Sequence, residues 1–238
     1  MKVGNEGVVM MQQLDSTIQN LTNEENYELQ NYCFSGLNAD CPSIESVPER
    51  YLPWTTIKEG CYEAMFKNDI SIANTPTLPA TELEKRCYYS MFSGCKKITK
   101  GPELPATTLS PSCYETMFYE CTNLKEAPEL NATELQRRCY YGMFQSCTTL
   151  KNAPVLNSQT LAPECYQQMF KDCTALETAP ALPATTLADN CYSSMFEGCE
   201  RLETAPELPA TILADFCYCN MFSRCYSLKE APALPATT

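Results

Sequence analysis

Apolar positions recur along this chain with a period of 26 residues, and each period contains two different spacings. The clearest unit runs from Leu182 to Glu207 and reads LPATTLADNCYSSMFEGCERLETAPE. In its first half Leu187, Cys191, Met195 and Cys199 fall every four residues, with Tyr192 and Phe196 beside them. That stripe predicts a short amphipathic helix. Thr185, Thr186 or Asp189 suits its start and Gly198 its end. The second half, Cys199-x-x-Leu202-x-x-Ala205-Pro206-x-Leu208, is apolar every three residues and predicts a short strand and turn. A proline recurs there at Pro76, Pro102, Pro128, Pro154, Pro180, Pro206 and Pro232. Proline cannot donate to a sheet ladder, so the strand should be three or four residues long and end at the proline.

Units begin at Leu52, Leu78, Leu104, Leu130, Leu156, Leu182 and Leu208, and seven complete ones run from Leu52 to Ala233. Self-similarity at this period is the mark of a solenoid, in which each repeat buries its apolar face against its neighbours. The expected fold is an α/β repeat solenoid, with a narrow parallel sheet along one face and short helices along the other. Residues 1–32 lie outside the repeat. Residues 33–51 read as a degenerate first repeat: Cys41, Ile44, Pro48 and Glu49 match Cys95, Ile98, Pro102 and Glu103, and Arg50-Tyr51 is a two-residue insertion. Residues 52–238 hold the seven repeats and the start of an eighth.

The C-x-x-L-x-x-A/I…L-P pattern, preceded by an aromatic residue and a cysteine, resembles the BspA-like leucine-rich repeats. The CY-x-x-MF-x-x-C…AP-x-LPAT unit is similar to a longer variant of them. The resemblance implies a leucine-rich-repeat-like fold and a role in adhesion and protein binding at the surface of anaerobic gut or oral bacteria. It implies no catalytic residues.

Within residues 1–32, Met11, Leu14, Ile18 and Leu21 are spaced 3, 4, 3, like a heptad seam. Two readings stand: a capping helix that covers the first repeat, or a docking helix that self-associates or meets a partner.

Composition narrows the chemistry. There is no histidine, so no Ser-His-Asp triad, Cys-His pair or His-ligated metal can be built from this chain alone. The net charge is −12, and the densest basic stretches are Lys96-Lys97 and Arg137-Arg138, so no nucleic-acid partner is expected. No apolar run has the length of a membrane span, and no signal peptide is visible in MKVGNEGVVMMQQLDSTIQNL.

Of 16 cysteines, 13 hold repeat positions from Cys61 to Cys225. Cys191 and Cys199 would sit two helical turns apart, about 12 Å, too far for a bond within a repeat. Bonds between stacked repeats are geometrically open to the second cysteine of each pair. The spacing offers no zinc motif. The expected state is a ladder of buried thiols, with Cys219 off-register and exposed. LPAT followed by Thr, Glu or Ile lacks the glycine and anchor of a sortase signal and reads as the turn into the next stripe. The carboxylates are not confined to one place, and Glu177 and Glu203 match Lys125, Lys151 and Lys229, which suits a solvated surface. Columns of tyrosine, Tyr88 to Tyr218, and of phenylalanine, Phe92 to Phe222, read as core; a stacking platform for glycans is the alternative.

A repeat protein binds through side chains that vary from unit to unit on one face. Those directly after the core Leu or Ile are Thr99, Lys125, Lys151, Glu177, Glu203 and Lys229, with Lys100, Glu126, Asn152, Thr178, Thr204 and Glu230 beside them. This strip is the candidate partner-binding site, mixed in charge and free of aromatics. The expected function is non-enzymatic recognition or attachment, without cofactor or metal, through a protein or cell-surface glycan, at a cell surface, outside the cell or on a virion. The alternative is a structural component of a larger assembly, such as a tail or head fibre of a gut-bacterial phage. The sequence stops five residues into an eighth unit, so the face bearing Leu228, Ala231 and Leu234 is expected to meet further repeats or a partner at residues 208–238.

Overall fold

The computed structural model describes residues 29–235. Successive 26-residue units stack as coils, and the coil from residue 30 to 51 pairs with the first of them at an offset of 28, the period plus the inserted Arg50-Tyr51. The docking-helix residues Met11, Leu14, Ile18 and Leu21 lie outside the described residues.

The stripe of apolar positions every four residues does not form a helix. No helix occurs among the described residues, and the segment from Cys to Cys in each unit is a ribbon of overlapping turns. In the unit containing Met91, Cys87 N–H donates to Glu84, Tyr89 to Arg86, Met91 to Tyr88 and Ser93 to Ser90, each reaching back three residues. The intervening amides do not bond within the coil. Arg86, Tyr88, Ser90, Phe92 and Gly94 donate to the carbonyls of Pro111, Cys113, Glu115, Met117 and Tyr119 in the following coil. Five such bonds form at each of seven junctions, always from one coil to the next and never back.

Geometry explains why a turn ribbon replaces the expected helix. At 100° per residue, a side chain four residues on has drifted by about 40° from the first. The ribbon returns to the same face every four residues because one residue in four takes a left-handed φ. Each of the eight coils has three such residues, for example Gly60, Ala64 and Asn68, or Asn190, Ser194 and Gly198. Left-handed backbone costs about 1–2 kcal/mol for most residues. Two consecutive apolar residues then point inward and the next two outward: Cys87, Tyr88, Met91, Phe92 and Cys95 are all buried. The proposed capping residues of a helix therefore serve another purpose. Thr186 pairs in parallel with Thr160, and Thr108 with Glu134, on the line begun by β1 (Thr56–Ile57) and β2 (Glu82–Leu83). The expected strand run ahead of each proline makes only single bridges, Lys100 to Glu126 and Asn152 to Thr178. The narrow sheet is thus split into two thin parallel lines.

Ring stacking runs the length of the core. Tyr62, Tyr88, Tyr114, Tyr140, Tyr166, Tyr192 and Tyr218 stack with centroids 5.7–6.0 Å apart, and Phe66 to Phe222 form a second column at 5.6–5.8 Å. Offset aromatic pairs add about 0.5–1.5 kcal/mol beyond the area they bury. At the N-terminal end Phe34 heads the tyrosine column, 5.8 Å from Tyr62. The residue aligned with Phe66 is Asn38, which has no ring. The inserted Tyr51 supplies one, fully buried and 6.3 Å from the Phe66 ring.

Between the columns lie the thiols. Twelve of the sixteen cysteines are buried, Cys33 and Cys219 are exposed, and none is in a disulfide. The second cysteine of each unit donates to the phenylalanine carbonyl of the preceding coil: Cys95 to Phe66, Cys121 to Phe92, Cys147 to Phe118, Cys173 to Phe144, Cys199 to Phe170 and Cys225 to Phe196, at 3.0–3.1 Å.

Candidate partner-binding surface

The turn ribbon and the stacked rings fix the coils in register, so equivalent side chains fall in lines along the surface. All twelve strip residues are exposed: Thr99, Lys100, Lys125, Glu126, Lys151, Asn152, Glu177, Thr178, Glu203, Thr204, Lys229 and Glu230. Register also pairs their charges between neighbouring coils. Lys100 meets Glu126 at 3.5 Å, Lys151 meets Glu177 at 3.2 Å, and Lys229 meets Glu203. These pairs are half to three-quarters exposed. Exposed pairs of this kind contribute about 0–1 kcal/mol each. They hold the strip near neutrality yet separate cheaply for a better partner. Lys125 makes no ion pair among the described residues.

Two open grooves flank the strip. On one side the repeated Pro-x-Leu-Pro turns line a groove that includes Pro76, Pro79, Pro102 and Pro105, with Thr99 and Lys100 at its rim, and it continues past Glu126 and Pro128. On the other side Thr148, Thr149, Thr174 and Arg201 line a second groove with Lys125, Lys151 and Asn152. Sequence analysis did not single out the proline wall. Its signal is the pair of prolines three residues apart in Pro-x-Leu-Pro, as at Pro76 and Pro79 or Pro102 and Pro105, which the period places in two adjacent lines.

A second surface feature escaped sequence analysis. Arg86 forks onto Glu63 at 2.7 and 3.1 Å and lies 4.0 Å over the Tyr89 ring. Arg138 repeats this two units later: it forks onto Glu115, reaches Glu164 at 2.6 Å and lies 3.9 Å over Tyr141. The signal was present in the matching Arg-Cys-Tyr-Tyr of residues 86–89 and 138–141. The hydrogen bonds that Arg138 donates to Glu115, the largest influence, push its guanidinium further toward its charged form. The Arg86 clamp ties two coils together and the Arg138 clamp three, and both satisfy their own charges.

No group of three or more histidine, cysteine, aspartate or glutamate side chains suited to a metal ion occurs among the described residues. No helix there is long and apolar enough to cross a membrane. Burial pushes the Cys113 thiol and the Tyr114 hydroxyl well above their ordinary values, which holds both neutral.

No protein-family model matches the chain, and no curated protein matches it. Among solved structures it is similar to a leucine-rich repeat protein of T. pallidum, with 18% identity over 66% of this chain and 76% of that one and a TM-score of 0.37. It is also similar to a leucine-rich cell surface protein of Faecalibacterium prausnitzii A2-165, with 16% identity over 82% of this chain and 74% of that one and a TM-score of 0.25.

Proposed function

We propose that this chain is a non-enzymatic recognition module that binds a polar protein surface along the strip from Thr99 to Glu230. One observation carries the reading. A core that is nearly invariant from coil to coil presents, in register, a line of exposed side chains that varies along the array, from Thr-Lys through Lys-Glu and Lys-Asn to Glu-Thr. The strip has no aromatic anchor, so each contact is weak and the affinity comes from several coils engaging together. The flanking grooves admit side chains of the partner on either side of the line. The repeat's resemblance to BspA-like units supports a place at a bacterial surface and a role in adhesion.

The test uses a panel of immobilised extracellular proteins and glycans. Lys125→Glu with Lys151→Glu should weaken binding to a bound panel protein by about ten-fold or more. Lys67→Glu with Lys85→Glu, away from the strip with the same change in charge, should leave it within about two-fold. Equal weakening by both pairs, or binding to no protein on the panel, overturns the reading. Binding to glycans alone would replace the protein partner with a sugar.

A further inference from the structure

The first cysteine of each unit forms a column: Cys61, Cys87, Cys113, Cys139, Cys165, Cys191 and Cys217. At its N-terminal end the column gains one more member, Cys33, at the same offset of 28 that relates the first coil to the second. Cys33 and Cys61 differ from the rest in two ways. Their Sγ atoms lie 2.7 Å apart, closer than two unbonded sulfurs rest and within reach of the roughly 2.05 Å of a disulfide after a small shift. Cys33 is also exposed, whereas Cys61 and the rest of the column are buried. The second-position thiols are held otherwise, on phenylalanine carbonyls. Only at this end does a reactive sulfur reachable from solvent touch a second sulfur.

We propose that Cys33 and Cys61 form a thiol–disulfide exchange site, whose substrate is a small-molecule disulfide and whose product is a covalent staple between the first two coils. The Cys33 thiolate attacks one sulfur of the reagent; the reagent's S–S bond breaks and one thiolate leaves, taking up a proton. Cys61 then loses its proton to solvent, and its thiolate attacks Cys33 Sγ. The bond from Cys33 to the reagent breaks and the second thiol departs. Two protein thiols are oxidised by two electrons, and one small disulfide is reduced to two thiols. The order follows from access, since Cys33 is exposed and Cys61 is buried. Burial raises the Cys61 thiol far above its ordinary pKa, so the second step is the slow one.

The staple closes a 28-residue offset and acts at the first described coil, which has a neighbouring described coil on one side only. Its first coil lacks the phenylalanine that every later coil contributes, and Leu37 and Tyr32 are exposed there. Oxidation therefore fastens the coil from residue 32 to 40, and reduction releases it.

The experiment incubates the intact chain with mixtures of oxidised and reduced glutathione under native conditions, followed by peptide mapping. The expected product has lost two hydrogens and yields one cross-linked peptide joining Cys33 to Cys61. Cys33→Ser abolishes it, while Cys219→Ser, which removes the other exposed thiol, leaves it unchanged. Amide exchange at residues 32–40 slows by about ten-fold or more on oxidation and recovers with reductant. A stable glutathione adduct on Cys33 that never resolves overturns the proposal. So does a cross-link to any other cysteine, or one that forms only after unfolding.

Discussion

Cys147 Sγ donates a 3.1 Å hydrogen bond to the carbonyl of Phe118, 29 residues earlier, and that carbonyl also accepts from the amide of Cys121. The thiol is thus both a filler between coils and a donor across them. Cys147→Ala removes both functions and should destabilise by about 1–3 kcal/mol. Cys147→Ser keeps a donor but brings a more strongly hydrated group into the core. Urea unfolding of the two variants should rank wild type first; an alanine variant as stable as wild type would show that the contact carries nothing.

Phe144 is sandwiched between Phe118 and Phe170, whereas Phe222 stacks on Phe196 and is half-buried. Phe144→Ala should cost about 3–5 kcal/mol, the usual range for a buried ring, and Phe222→Ala clearly less. Equal losses in denaturant titrations would contradict the column as the source of stability.

The hydroxyls of Tyr62, Tyr88 and Tyr114 are buried with no hydrogen-bond partner among the described residues. An unsatisfied buried hydroxyl is unfavourable by about 1–3 kcal/mol. Tyr114→Phe keeps the ring and its stacking while removing that burden. The variant should melt at the same temperature as wild type or higher, and a lower Tm would mean the hydroxyl has a partner.

Asp69 stands where later coils have Cys95, Cys121 and their equivalents, and it is fully buried. Burial raises its carboxyl from 3.8 to about 7, only partly opposed by the backbone of Ser71. The neighbouring Cys41 and Cys95 thiols respond to its charge. Because the folded value lies above the unfolded one, stability associated with Asp69 is full below about pH 4 and declines as pH rises through 7. Asp69→Asn should therefore gain stability relative to wild type between pH 4 and pH 8. Parallel melting curves for the two proteins across that range would remove the assignment.

A thiol-reactive reagent under reducing, native conditions should label Cys33 and Cys219 quickly, Cys41 and Cys225 slowly, and the twelve buried cysteines only on unfolding. Mass spectrometry of native and denatured samples distinguishes this from uniform labelling, which would mean that the coils open freely.

Much of this was legible before any coordinates. The period, the inward-facing residues and the exposed strip all follow from spacing, because burial in a stacked array repeats with the sequence. The local conformation was not. A stripe at every fourth residue fits a helix and fits a turn ribbon, and apolar residues alone do not separate them. The discriminating marks were residues that tolerate left-handed backbone: Gly60, Asn68, Gly94, Gly142, Asn190 and Gly198 sit four or eight residues from another left-handed position within their coils. The pairing of Lys100 with Glu126 was hidden for a different reason. Contact across 26 residues depends on register, and register was visible only once the coils were stacked.

The one-way amide bonds give the array an electrical direction. Every coil's alternate N–H groups point toward the higher-numbered end, so their dipoles add rather than cancel, as they do along a helix. Among the described residues, the last coil presents the amides of Phe216, Tyr218, Asn220, Phe222 and Arg224 with no acceptor. The first presents the carbonyls of Asn31, Cys33, Ser35, Leu37 and Ala39 with no donor. Along the turn ribbon one rim is donor and the other acceptor, while the bridge lines carry a few amides in the opposite sense, such as Lys125 to Thr99. Two identical rims brought face to face would leave donor against donor, whereas opposite rims would match bond for bond. Along the ribbon, backbone pairing favours adding a further coil tail upon head over joining two like rims.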